Sequence, residues 1–115
     1  MHELSIALSI VEMAEQEAEL RGGVQVVGVH LKVGDLAGVV KEALISSYEL
    51  VVQETALKGS RLLIESVPVR VHCSACVKDH PLTSIQNFCC PQCGTPTSDV
   101  TQGKELEVVA LEIVQ

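Results

Sequence analysis

Apolar residues between Glu3 and Leu20 recur every three to four positions, which is the spacing of one face of a helix. Two adjacent rows form this stripe, Leu4, Leu8, Val11, Glu15 and Ala18 in one and Ile6, Ile10, Met13 and Leu20 in the other. Gly22 and Gly23 follow as a helix stop. The pattern therefore predicts a helix over residues 3–20.

The segment from Val24 to Val33 then alternates, with Val27, Val29, Leu31 and Val33 on one face and Gly28, His30 and Lys32 on the other, and predicts a half-buried strand. A turn at Gly34 and Asp35 comes next, and Asp35 is a plausible N-cap for a second helix that reaches about Leu57. The expected buried face of that helix contains Leu36, Val39, Val40, Ala43, Leu44, Val51 and Val52.

Two further runs, Leu62–Val71 and Leu106–Val114, are rich in β-formers. In each run the apolar positions change parity partway along. A β-bulge would account for the change, as would burial of both faces of the strand, and the sequence leaves both explanations open.

The element order is helix, strand, helix, strand, a cysteine-rich module and a last strand. This order predicts an α+β fold, in which two helices cover one face of a three-stranded sheet and the small module is inserted before the last strand. We expect one domain from residues 1–70 and 104–115, and a second from residues 71–103.

The module contains two Cys-x-x-Cys pairs, Cys73 with Cys76 and Cys90 with Cys93, separated by thirteen residues. Such a pair places two sulfurs on one edge of a tetrahedron, so two pairs match a four-thiolate zinc site. Gly94 after the second pair permits the left-handed backbone in which such turns often end. We therefore expect residues 71–103 to be a zinc-binding domain, with a structural rather than catalytic metal.

Three side chains near the two cysteine pairs leave the exact set of metal ligands open. Cys89 could replace Cys90, although Cys90 begins the Cys-Pro-x-Cys-Gly turn, which favours Cys89 as a spare thiol. His72 and His80 flank the first pair as loop residues, or exchange with a thiolate when pH or nickel loading changes. A thioredoxin-like dithiol is disfavoured because turn-forming residues, not a strand and a helix, surround both pairs.

Charge, aromatic content and the length of apolar runs disfavour several classes of protein. Eight Lys and Arg against fifteen Asp and Glu give a net charge of −7, which argues against binding through nucleic-acid phosphates. With one Tyr and one Phe, the core is expected to be aliphatic. The longest apolar run has only four residues, Val108 to Leu111, and the acidic N-terminal segment is unlike a signal peptide. The expectation is a cytoplasmic protein without a membrane-inserted segment.

The first three residues, Met1, His2 and Glu3, can chelate a metal. A terminal amine, the His2 amide nitrogen and the His2 imidazole close fused rings on one ion. The Glu3 amide would complete four nitrogens in a plane, an arrangement that Ni(II) or Cu(II) favours.

These features together resemble the HypA/HybF family, the nickel metallochaperones of [NiFe] hydrogenase maturation. The resemblance rests on Met-His-Glu-Leu-Ser at the start, on the two cysteine pairs and on residues 33–39 and 103–106. It implies that His2, with Met1 and Glu3, carries nickel and that Cys73, Cys76, Cys90 and Cys93 carry structural zinc. The implied partners are the maturation GTPase and the hydrogenase large subunit precursor. The oligomeric state, including a homodimer, stays open.

Two departures from the family pattern stand out: Val77 follows the first pair where Gly is common, and Cys89 adds a thiol. The alternative functions are a zinc-ribbon module that binds nucleic acid or protein, and a rubredoxin-like iron site. The module has neither a basic stripe nor a stacking platform, which disfavours nucleic acid. No nucleophile–base pair or closely spaced acid pair emerges from the pattern, so we do not expect an enzyme.

Overall fold

The computed structural model describes residues 2–114. Its elements are α1 (Glu3–Leu20), β1 (Gln25–Gly34), α2 (Lys41–Val51), a 3-10 turn (Val52–Glu54), β2 (Arg61–Val67), β3 (Arg70–Cys73), β4 (Lys78–Pro81), β5 (Val100–Gln102) and β6 (Leu106–Val114). One three-stranded sheet has the order β2-β1-β6 and a smaller one the order β4-β3-β5. The predicted α+β fold, with a small module inserted before the last strand, is confirmed.

Helix α1 has the predicted bounds, but its buried stripe differs from the predicted one. The buried side chains are Ala7, Ile10, Val11, Ala14 and Ala18. Leu4, Leu8 and Leu20 are exposed, although they were expected to face the core. Helix α1 packs against α2, and three of its five buried side chains are alanines, which permit close packing.

The core is not purely aliphatic, because Tyr48 in α2 is its largest fully buried side chain. The Tyr48 hydroxyl lies 2.6 Å from Oγ of Ser60, which is also buried. Burial raises the pKa of Tyr48, while the bond to Ser60 opposes that shift. The pair satisfies two polar groups that would otherwise be costly to bury.

Helix α2 starts later and ends earlier than predicted, at Lys41 and Val51. The expectation that Asp35 caps it is wrong. The backbone N–H of Asp35 instead donates to the carbonyl of Val67 at 3.0 Å, and Gly38 has a φ of +73°, which a right-handed helix cannot include. A loop therefore separates β1 from α2.

The single strand predicted over Leu62–Val71 is two strands in different sheets. Strand β2 ends at Val67 and β3 begins at Arg70, with Pro68 between them, which has no N–H to donate to a ladder. The parity change in this run therefore accompanies a change of sheet. In β6 no described side chain is fully buried, so burial of both faces does not explain the change there.

The chain divides into two compact units. The first comprises the described residues within 1–32, 38–65 and 107–115, and the second comprises residues 33–37 and 66–106. The zinc-domain boundaries at residues 71 and 103 remain a prediction. Over residues 2–114, no helix combines the length and the apolar character needed to cross a membrane.

Candidate metal centre

The first cysteine pair lies in the turn that joins β3 to β4. These strands pair antiparallel, and Cys73 lies opposite Lys78 at the end of the ladder. The backbone N–H of Cys76 donates to Sγ of Cys73 at 3.4 Å. This bond holds the two cysteines in a tight knuckle.

The second pair lies in a similar turn. The N–H of Cys90 donates to the carbonyl of Thr95 at 2.8 Å, and the N–H of Gly94 donates to the carbonyl of Cys90 at 2.9 Å. Gly94 has a φ of +76°, so the left-handed conformation expected for it is confirmed.

The structure brings four sulfurs together: those of Cys73, Cys76, Cys90 and Cys93 all lie within 4.8 Å of one another. Sγ of Cys73 is 3.6 Å from Sγ of Cys93, and Sγ of Cys76 is 3.9 Å from Sγ of Cys90. Tetrahedral zinc with Zn–S bonds of about 2.3 Å requires sulfurs about 3.8 Å apart. The donor set and its spacing therefore fit a closed, structural zinc site.

Two of these thiols have strongly shifted pKa values. The hydroxyl and the backbone N–H of Thr95 stabilise the Cys93 thiolate and lower its pKa to about 6; Oγ1 of Thr95 lies 3.1 Å from the sulfur. Hydrogen bonding to Cys93 is the main cause that raises the pKa of Cys76 to about 12. Binding of a metal ion to the cluster therefore releases thiol protons at neutral pH.

The other candidate side chains near the cluster lie outside it. Cys89 is not grouped with the four thiols, and its sulfur contacts Oδ1 of Asn87 at 3.1 Å. Nδ1 of His72 lies 2.8 Å from Oδ1 of Asp79. Nε2 of His80 is buried without a hydrogen-bond partner in the described part of the chain. Exchange of either histidine into the site remains a hypothesis.

The N-terminal candidates lie at the start of α1, except for Met1, which falls outside the described residues. His2 is the exposed N-cap of the helix, with an extended backbone, and its carbonyl accepts the N–H of Ile6 at 3.2 Å. A helix leaves its first four N–H groups without partners inside the helix. The amides of His2 and Glu3 belong to this set, so the helix does not occupy the nitrogens that would chelate a metal.

Glu3 makes a contact that the sequence did not suggest. Its Oε2 accepts the backbone N–H of Val40, the N-cap of α2, at 3.1 Å. This bond is the largest cause of a lowered pKa for Glu3. Local sequence patterns cannot reveal a cap supplied by a residue 37 positions away.

Comparison with known proteins identifies the family. A family model described as "Hydrogenase/urease nickel incorporation, metallochaperone, hypA" matches residues 1–113. The chain belongs to the HypA family. Hydrogenase maturation factors HypA from Roseiflexus sp. (strain RS-1) and Chloroflexus aurantiacus are 45% and 46% identical to it over 112 residues, covering 97% of this chain and 91% and 98% of theirs. The chain is thus a member of a family of nickel-incorporation metallochaperones.

Solved structures agree on the HypA fold. The solution structure of the Ni metallochaperone HypA from Helicobacter pylori matches with a TM-score of 0.69 and covers 99% of this chain and 98% of that one. A second solution structure, of a HypA protein, matches with a TM-score of 0.74, 99% of this chain and 97% of that one being covered. Both are 23% identical in sequence, so this likeness concerns the fold alone.

Two segments that carry the resemblance to the HypA family, residues 33–39 and 103–106, are joined by backbone hydrogen bonds. The N–H of Gly34 donates to the carbonyl of Glu105 at 2.7 Å, and the N–H of Leu36 donates to the carbonyl of Gly103 at 2.8 Å. A Cβ on Gly34 would lie 2.0 Å from the carbonyl oxygen of Gly103. The first segment therefore needs a glycine at position 34 for a structural reason.

Proposed function

We propose that this protein is a cytoplasmic nickel carrier: it binds Ni(II) through Met1, His2 and Glu3 and delivers it to the large subunit precursor of [NiFe] hydrogenase. Membership of the HypA family supports the nickel cargo. The observation that carries the choice of site is the position of His2, an exposed N-cap whose amide the helix leaves unbonded.

The two metals would have different tasks. Cys73, Cys76, Cys90 and Cys93 would hold zinc permanently, because four thiolates leave no open position for an incoming ligand. His2 is exposed, so a recipient's ligands can approach a nickel ion held there and replace its ligands one at a time. A carrier must release its metal, which favours the exposed terminal site for nickel.

Direction of transfer would come from docking to partners rather than from affinity, because nitrogen ligands bind copper more tightly than nickel. We propose the maturation GTPase as the assisting partner and the large subunit precursor as the recipient. The task is ligand exchange on a metal, for which no catalytic group of this chain is required.

The test uses protein with its native, untagged N-terminus, and His2→Ala is the decisive variant. We expect wild type to bind one zinc and one nickel, and His2→Ala to keep zinc and lose nickel, because the imidazole and its chelate ring are gone. Metal content after gel filtration measures both. The nickel-loaded wild type should then pass its metal to the large subunit precursor.

His30→Ala is the matched control, since His30 is also on the first unit but pairs with Glu112, 2.6 Å from Nε2 to Oε1. Its nickel content should equal that of wild type. Nickel retained by His2→Ala at wild-type affinity would refute the N-terminal site. Loss of nickel from His30→Ala alone would show that the nickel site lies on the sheet, at His30.

A further inference from the structure

The carboxylate of Glu3 connects the beginnings of two helices. Glu3 is the first residue of α1, and its Oε2 accepts the N–H of Val40, the N-cap of α2, at 3.1 Å. Both helices belong to the first compact unit. The residue next to this junction is His2, the central residue of the proposed nickel site.

The bond supplies α2 with a hydrogen-bond acceptor at its N-terminus. N-caps are usually Ser, Thr, Asp or Asn, whose side-chain oxygens accept unpaired N–H groups. Val40 has no such oxygen and makes no side-chain cap bond. In a capping box, a Glu within the helix reaches back to the N–H of the N-cap. Glu3 supplies the same bond from another helix, and its negative charge is favourable at both helix N-termini.

The same bond restrains His2. The carbonyl of His2 accepts the N–H of Ile6, and the side chain of Glu3 is bonded to the start of α2. The peptide bond between His2 and Glu3 is therefore restrained by a hydrogen bond from each of its two residues. Chelation by a terminal amine, an amide and an imidazole requires one backbone geometry. A residue whose backbone is already restrained binds metal with less loss of conformational entropy.

We propose that the Glu3 carboxylate is a positioning group for nickel, bonded to the start of α2 and not to the metal. The proposal rests on the N-terminal nickel site proposed above. It follows that the nickel ligands of this segment are nitrogen atoms. It also follows that the backbone N–H of Val40, 37 residues from Glu3, contributes to nickel binding.

A double-mutant cycle tests this assignment, because the two groups can be removed separately. Glu3→Ala removes the acceptor. Val40→Pro removes the donor N–H; the φ of Val40, −82°, is near the proline range, and its carbonyl stays available to the N–H of Leu44. Each single variant should weaken Ni(II) binding about tenfold, the effect of one charge-assisted hydrogen bond, and the double variant should be no weaker than either single one.

Control variants separate this bond from other effects. Val40→Ala keeps the N–H and should bind nickel like wild type, since Val40 is 57% exposed and little packing is lost. Glu3→Gln keeps an acceptor oxygen and should recover part of the affinity. Glu12→Ala removes an exposed carboxylate from the same helix and should change nothing. Far-UV circular dichroism checks that Val40→Pro is folded.

Two further measurements distinguish positioning from ligation. The visible d–d bands of bound Ni(II) should have the same wavelengths in wild type and Glu3→Ala, because the ligand atoms do not change. In metal-free protein, the amide of Val40 should exchange with solvent faster in Glu3→Ala than in wild type.

A shifted d–d band in Glu3→Ala would show that Glu3 is a ligand and would overturn the proposal. Additive losses in the cycle, or unchanged affinity in Val40→Pro, would do the same. Failure of the proposed function has another signature, which is nickel bound by His2→Ala as tightly as by wild type.

Discussion

Val77 occupies the position after the first cysteine pair and has a φ of +55°, the one positive φ of a non-glycine residue among residues 2–114. Its side chain is 75% exposed. The equivalent position after the second pair is Gly94, at a φ of +76°. The two knuckles thus need the same left-handed backbone, and a β-branched residue provides it in one of them at a steric cost.

Val77→Gly should therefore stabilise the zinc-loaded protein. Relief of the left-handed penalty of about 1–2 kcal/mol exceeds the backbone entropy cost of about 0.5–1 kcal/mol for a glycine, which leaves a net gain of roughly 0.5–1 kcal/mol. Urea unfolding at fixed excess zinc measures the change. Ser74→Gly, in the same turn without a positive φ, should lose stability. An unchanged or lower midpoint for Val77→Gly would show that the side chain makes a compensating contact.

The end of strand β1 depends on a close backbone approach. A Cβ at Gly34 would lie 2.0 Å from the carbonyl oxygen of Gly103 and 2.6 Å from the nitrogen of Lys104. These are backbone atoms, which cannot rotate away as a flexible side chain can. The glycine therefore fixes how near the chain before β6 can come to the end of β1.

We expect Gly34→Ala to destabilise the protein by about 3 kcal/mol or more, because the added methyl group forces the backbone apart. Gly28→Ala is the control in the same strand: its Cβ would meet the side chain of Glu112 at 3.2 Å, and that side chain can move. Thermal unfolding of both variants should show a large loss for the first and a small one for the second. Equal losses would mean that a general glycine effect in β1, not this contact, determines stability.

These elements also show how far sequence patterns reach. The bounds of α1 and the turn of each Cys-x-x-Cys pair depend on neighbours within a few residues, so periodicity and spacing predicted them. The meeting of the two pairs was predicted from the four-sulfur requirement of zinc. The start of α2 and the division of Leu62–Val71 depend on distant partners. Asp35 donates to Val67, and Glu3 accepts from Val40, contacts that no local pattern contains.

Buried apolar side chains are unevenly distributed over the whole molecule. In the first unit the buried side chains include residues of both helices, among them Tyr48 of α2, and also Leu57. The second unit has fewer, and two of its fully buried side chains, Cys73 and Cys90, belong to the thiol cluster. A small region without a sufficient apolar core commonly relies on a metal for its stability.

Removal of zinc should therefore unfold the second unit and leave the helices of the first. Structural zinc contributes roughly 10–16 kcal/mol of apparent binding free energy at neutral pH, which the few apolar contacts of the second unit cannot replace. After treatment with a strong chelator, amides of residues 70–102 should lose their protection from hydrogen exchange, while the helical circular dichroism at 222 nm persists.

The adjacent thiols Cys89 and Cys90 provide a matched pair for this experiment. Cys90→Ser should release zinc and reproduce the exchange pattern of the chelated protein, because it removes one of the four clustered sulfurs. Cys89→Ser should behave as wild type, because its sulfur contacts Asn87 instead. Zinc loss in the Cys89 variant alone would show that Cys89, and not Cys90, is the zinc ligand. Unfolding of α1 and α2 when zinc is removed would show that the two units fold as one.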